Sequence, residues 1–244
     1  MDAVIVALAS GKGGAGKTTA AVFLGGALGA LGKQVALVEL APDMRSVDVI
    51  AGVSGQTVFD VEDVLSGRAA PGKALAPSQS HRGLFTISAP YSGGEIISER
   101  VRLLCTRLRA HFDYILLDVQ SGMGAAFEAA KECCHRMLLF ATPDTISLRD
   151  NRILVDSVDE GEVQLRLVLS RVDPERVLGE GGLGNLDAAI DLVGAQLLGV
   201  IPESPVIYRC ANNGLPLPTK SMEWRVFNAI ARRLAGEDVP LVFE

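Results

Sequence analysis

Residues Gly11, Lys12, Gly13, Gly14, Ala15, Gly16, Lys17 and Thr18 fit the pattern G-x-x-x-x-G-K-[ST] at every fixed position. The context is also right. Residues 3–9, AVIVALA, form an apolar, β-branched run that reads as a strand buried on both faces, and the Ala- and Leu-rich residues 18–31 read as a helix stopped by Gly32. A glycine-rich turn between a strand and a helix brings backbone N–H groups together and adds the positive end of the helix dipole. Such a loop cradles a polyphosphate. Lys17 is placed to reach its terminal oxygens and Thr18 to offer a hydroxyl to Mg²⁺, with Thr19 alongside as a further nucleotide-binding residue of the loop.

The rest of the chain repeats the alternation. Strands are expected at 35–40, 84–88, 114–118, 137–142, 163–170 and 198–201. Helices are expected at 58–65, 98–110, 125–134, 148–158, 186–193 and 222–234. Residues 69–82 are polar, contain two prolines, and read as the least ordered segment. Alternation of this kind predicts an α/β fold: a mostly parallel sheet with helices on both faces, binding its ligand at the carboxyl ends of the strands. No linker-like stretch interrupts it, so residues 1–244 read as one domain.

Hydrophobic residues make up 48% of the chain, enough for a substantial core, and the formal net charge is −6. That charge argues against non-specific nucleic-acid binding. The groups Arg100, Arg107, Arg109 and Arg225, Arg232, Arg233 read as solvated helix faces. Four cysteines, two of them adjacent, fit reduced thiols in a cytoplasmic protein. There is no leader-like start and no apolar stretch of the ~20 residues that a membrane span needs.

A loop of this type needs a carboxylate at the end of a neighbouring buried strand. Asp118, after Tyr114-Ile115-Leu116-Leu117, fits, so Thr18 and Asp118 are the expected Mg²⁺ residues.

Lys12 adds a further constraint. Lys12-Gly13-Gly14-Ala15-Gly16-Lys17-Thr18-Thr19 resembles the deviant Walker A loop of the MinD/ParA family of ATPases. The resemblance continues through Arg45-Ser46-Val47-Asp48 with Gly52, Ala141-Thr142-Pro143-Asp144, Leu148-Arg149-Asp150 and Leu198-Gly199-Val200-Ile201-Pro202-Glu203. It covers almost the whole chain and is nearest to the MinD branch. It implies ATP and Mg²⁺ as cofactors and an ATP-sandwiched homodimer. Lys12 would reach the partner's phosphates, and Lys17 would act on the chain's own. Arg171, Pro202 and Glu203 would line the adenine pocket, Gly122 would present its N–H to the γ-phosphate, and Arg149 and Asp150 would meet a protein regulator.

The sequence also departs from that family. Its members carry Asp-x-Asp after the second strand; here the residues are Glu39, Leu40 and Ala41. Glu39 keeps a catalytic carboxylate, but Ala41 has none, so slow hydrolysis is expected, with Asp43 or Asp48 as candidate substitutes. A hydrolysis-poor, ATP-dependent dimeric scaffold is the alternative. The family's D-x-P-A-G switch reads Asp118-Val119-Gln120-Ser121-Gly122, in which Gln120 is a candidate for orienting water. The basic amphipathic tail of the MinD branch has no counterpart, so membrane association is expected only through a partner. An iron–sulfur protein of related fold is disfavoured, because no Cys-Gly-Gly follows Asp118. A DNA-partitioning role is disfavoured by the acidic charge.

Overall fold

The computed structural model describes residues 3–42, 45–91, 93–159, 161–173 and 186–242. In chain order its elements are β1 (Val4–Ala9), α1 (Lys17–Ala30), β2 (Val35–Leu40), α2 (Val47–Ile50), α3 (Val61–Leu65), α4 (Pro71–Ala74), β3 (Ala76–Pro77) and β4 (Leu84–Ile87). They continue with α5 (Ser98–Leu108), β5 (Tyr114–Val119), α6 (Ala125–Lys131), β6 (Arg136–Ala141), α7 (Thr145–Asp156), β7 (Gln164–Val172), α8 (Leu186–Val193), β8 (Gln196–Pro202), α9 (Pro205–Asn212) and α10 (Met222–Leu234).

The strands form one sheet in the order β3-β4-β2-β5-β1-β6-β7-β8. Every neighbouring pair is parallel except β3 with β4. Apart from Glu39 of β2 and Asp118 of β5, the central strands β2, β5 and β1 are apolar because both faces are covered. The two-residue side-chain period then divides each strand between two cores. Ile5, Ala7 and Ala9 of β1 pack toward α3 to α8, while Val6 and Leu8 pack toward α1, α2, α9 and α10. The same alternation sends Leu117 of β5 to the first core and Leu116 to the second. It therefore turns Asp118 toward α1, and Glu39 of β2, its register partner, toward α2.

The α/β expectation holds, with several adjusted boundaries. The helix expected over 58–65 starts at Val61, because Asp60 and Asp63 form a reciprocal capping box; Val58 is 93% exposed outside it. The helix expected from residue 148 starts at Thr145, where the Asp144 carboxylate accepts from the Ser147 N–H at 2.9 Å. Residues 69–82 are more ordered than their composition suggests. They contain α4 and β3, and the Ser78 hydroxyl donates to the Ala51 carbonyl at 2.7 Å. Two short helices, α2 and α9, had no counterpart in the sequence reading. Among the described residues no helix is long and apolar enough to cross a membrane.

Candidate functional site

β1 and β5 lie side by side, with Leu8 opposite Asp118, so the loop after β1 and the carboxylate of β5 meet at one end of the sheet. Gly14 and Gly16 take positive φ of 81° and 78°, a region that side-chain-bearing residues enter at a cost. Gly16 is the α1 N-cap and brings no side-chain cap, so the first N–H groups of α1 remain free to face a ligand. Behind the loop, Gly11 lies against α7. A Cβ added there would sit 2.4 Å from the Asp150 Cβ and 2.6 Å from the Asp150 carbonyl oxygen. The resemblance made Asp150 a regulator contact; its backbone is also the wall on which the loop rests.

Lys17 is buried. Its Nζ donates to Ser10 Oγ at 2.8 Å and Ser121 Oγ at 2.7 Å. Burial lowers its pKa, opposed by the nearby Asp118 charge. Sequence reasoning missed both serines. Ser10 Oγ also donates to the Lys12 carbonyl at 2.7 Å, so one hydroxyl ties the start of the loop to its lysine. The Gly122 N–H, expected to face the γ-phosphate, donates instead to the Ser10 carbonyl at 2.9 Å. With Ser121 already on Lys17, the segment after β5 is fastened to the loop at two adjacent residues.

Thr18 and Asp118 meet as expected: the Thr18 hydroxyl donates to Asp118 Oδ2 at 2.6 Å. Asp118 is 1% exposed, and its Oδ1 is buried with no hydrogen-bond partner. Burial pushes its pKa up to about 6, against the Thr18 hydrogen bond and the Lys17 charge. A carboxylate oxygen with no partner, next to a threonine hydroxyl, is the hard-oxygen donor set that Mg²⁺ takes.

Glu39 is corrected. Its carboxylate accepts the N–H of Ser46 at 2.8 Å, of Val47 at 3.2 Å and of Ala89 at 2.9 Å. It is fully buried and absent from the walls of the cleft. Burial drives its pKa up to about 7, although the three amides and their partial charges favour ionisation. Glu39 pins the start of α2 and the end of β4; a water-activating role does not fit this position. Asp48 is likewise engaged, its Oδ2 paired with Arg45 Nε at 2.8 Å. Asp43 lies outside the described residues.

A cleft of about 800 Å³ runs from the loop to α9. Gly13, Gly14, Gly16, Lys17, Thr18, Thr19 and Asp118 line one end, and Ala41 and Gln120 face it nearby. Arg171, Pro202 and Glu203 line the other end, together with Ile207, Tyr208 and Ala211 of α9, which sequence reading did not place there. Arg171 has a φ of 55°, at a register shift between β7 and β8. This costs about 1–3 kcal/mol. It aims the guanidinium at Glu203, 3.1 Å away, and at the Gly14 carbonyl, 3.4 Å away. The strained residue thereby joins the two ends of the cleft.

The Lys12 ammonium stays apart from this network. It is about half exposed and lies 3.8 Å from the Asp144 carboxylate. Arg149 is exposed on α7.

A parallel α/β sheet with a G-x-x-x-x-G-K-T loop between β1 and α1, and a strand-terminal carboxylate on its threonine, defines a P-loop nucleotide-binding protein. Comparison with known proteins narrows the class. Residues 6–217 match the CobQ/CobB/MinD/ParA nucleotide binding domain, and the chain belongs to that family. It is 32% identical over 251 residues to the septum site-determining protein MinD of Helicobacter pylori, covering 98% of this chain and 93% of that protein. It is 31% identical over 246 residues to MinD of Synechocystis, covering 98% and 91% respectively. Among solved structures, the MinC:MinD cell division protein complex of Aquifex aeolicus aligns with a TM-score of 0.88 at 31% identity, over 98% of both chains. The likeness to the MinD branch, first drawn from Lys12 and the later motifs, holds along the whole chain.

Proposed function

We propose that this chain is an ATP-binding and slowly ATP-hydrolysing switch of the septum-site-determining kind, which dimerises when ATP is bound. The observation that carries the reading is the Thr18–Asp118 pair beside Lys17, with Asp118 Oδ1 left without a partner. Thr18 and Asp118 would hold Mg²⁺, which supplies charge neutralisation between phosphate oxygens when bound. The free N–H groups at the start of α1 orient the phosphates, and Lys17 offsets their charge. Arg171, Pro202 and Glu203 take the base. Lys12, whose ammonium makes a half-exposed ion pair with Asp144, is available to a second copy's nucleotide. A regulator contact at Arg149 and Asp150 would press on α7 directly behind Gly11.

Light scattering after gel filtration, in Mg·ATP and then in Mg·ADP, tests the switch. A dimer in ATP and a monomer in ADP is the expected result. A monomer in both would remove the sandwich mechanism.

One observation favours a second reading, a scaffold that binds ATP and scarcely hydrolyses it. Ala41 faces the cleft where the family's second carboxylate would stand, and Glu39 is occupied with backbone amides. Phosphate release limited to a single turnover would support the scaffold; sustained turnover would support the switch.

A further inference from the structure

All four cysteines are free and buried, but two are not isolated. Cys105 of α5 and Cys133, just past α6, bring their sulfur atoms to 3.9 Å across the packed interface of the two helices. Cys105 is 1% exposed and Cys133 9%, next to the exposed Glu132. Of the two, Cys133 is the less deeply buried. The Cys133 S–H donates to the Ala129 carbonyl at 3.3 Å, and its sulfur faces that of Cys105 and lies close to the Arg109 charge. The Cys105 hydrogen bond and Arg109 lower its pKa, while burial and Glu132 oppose this. Cys105 shifts the other way, because its proton is held by Cys133 and it is buried. The two facing sulfur atoms are the geometry of an attacking and resolving pair, with Cys133, the less deeply buried, as the attacking thiol. Adjacent Cys133 and Cys134 do not make such a pair, since neighbouring Cα atoms are only about 3.8 Å apart and disulfides prefer about 5.5–6 Å.

We propose that Cys105 and Cys133 are an oxidation site for hydroperoxides, closing to an intramolecular disulfide that clamps the segment between them. The Cys133 thiolate attacks one peroxide oxygen, the O–O bond breaks, and water or an alcohol leaves with a proton from solvent. Cys105 then attacks the sulfenic sulfur, the S–O bond breaks, and the hydroxide leaves as water with the Cys105 proton. Two thiols lose two electrons, and the peroxide gains them. The sulfur atoms must close from 3.9 Å to about 2.05 Å for the bond to form. The chain between the cysteines spans 28 positions and contains β5, Asp118 and Ser121, so the cross-link encloses the segment that the proposed function treats as the nucleotide switch.

The test uses the folded, reduced, full-length protein. It is treated with hydrogen peroxide, alkylated under denaturing conditions and mapped by mass spectrometry. Expected is a linked peptide pair through Cys105 and Cys133, with Cys134 and Cys210 alkylated. Cys105→Ser should leave Cys133 as a sulfenic acid that dimedone captures. Full alkylation of both cysteines after peroxide, or a link to Cys134 or Cys210, overturns the site. The wild-type map decides this even if the variant misfolds. Amide exchange of residues 119–124 should slow in the cross-linked form; unchanged exchange overturns the clamp while leaving the nucleotide-binding reading intact.

Discussion

The Lys17 ammonium is shared between the hydroxyls of Ser10 and Ser121, and a phosphate oxygen at the same spot competes with both. Ser121→Ala removes one competitor and loosens the segment after β5. Nucleotide affinity should rise by roughly fivefold, the equivalent of about 1 kcal/mol for one net hydrogen bond. Titration calorimetry with Mg·ADP checks this, and weaker binding would show that the Ser121 hydroxyl holds Lys17 in its productive place. Ala41 calls for the opposite kind of change. Ala41→Asp places a carboxylate on the cleft wall and should raise turnover at least about tenfold, measured as steady-state phosphate release. Unchanged turnover would put the slow step outside the water-activating group. At this scale the sequence was partly legible. Lys17, Thr18 and Asp118 follow from residue type and spacing. Ser10 and Ser121 carry no pattern of their own, since a serine beside a glycine is ordinary loop chemistry until the fold brings both to one ammonium. Glu39 shows the converse: its residue type suggested catalysis, and only three backbone amides aimed at it reveal a positioning group.

α2 is a single turn of helix without a side-chain cap of its own, and Glu39, buried one strand away, supplies the missing acceptor. This gives the element a pH signature. The pKa of Glu39 is raised from 4.5 to about 7 on folding, so the folded chain holds the proton more tightly than the unfolded chain. The stabilisation is present below about pH 4.5 and is lost as pH rises through about 7. Thermal melts should therefore show a stability contribution on the order of 1–3 kcal/mol fading across that window. Glu39→Gln should flatten that slope while lowering stability at every pH, because the carboxamide N–H₂ meets backbone donors. A slope that survives the substitution would assign it to another group. The longer elements were readable because buried parallel strands are continuous apolar runs and their helices are amphipathic. α9 was not, though Ser204 before Pro205 is an N-cap followed by a proline at N1, a usable start signal. Residues 69–82 misled because α4 and β3 owe their order to neighbours such as Ala51 and to pairing with β4, which local composition does not report.

For the whole molecule, the informative residue is Lys12. A half-exposed ion pair with Asp144 is worth about 0–1 kcal/mol, so little holds Lys12 against leaving for a stronger anion. Lys12→Ala should keep Mg·ATP binding within about threefold of wild type while weakening the ATP-dependent dimer at least about tenfold, as read by sedimentation at several concentrations. A variant that dimerises normally would show that Lys12 serves only its own chain. The architecture was the most legible level of all, because strand–helix alternation and one glycine-rich loop leave few arrangements open. The order of the strands was not legible, since it depends on which buried runs pair across the sheet, and apolar runs look alike.

That order has a consequence for how the protein comes into being. Thr18 and Asp118 touch across 100 positions of sequence, through the pairing of β1 with β5. A ribosome adding about 5–20 residues per second releases the loop roughly 5–20 seconds before the carboxylate that completes it. The earliest part of the nascent chain thus carries its phosphate cradle without the strand beside it. Nucleotide cannot guide those first steps; it can only secure a sheet that has already closed.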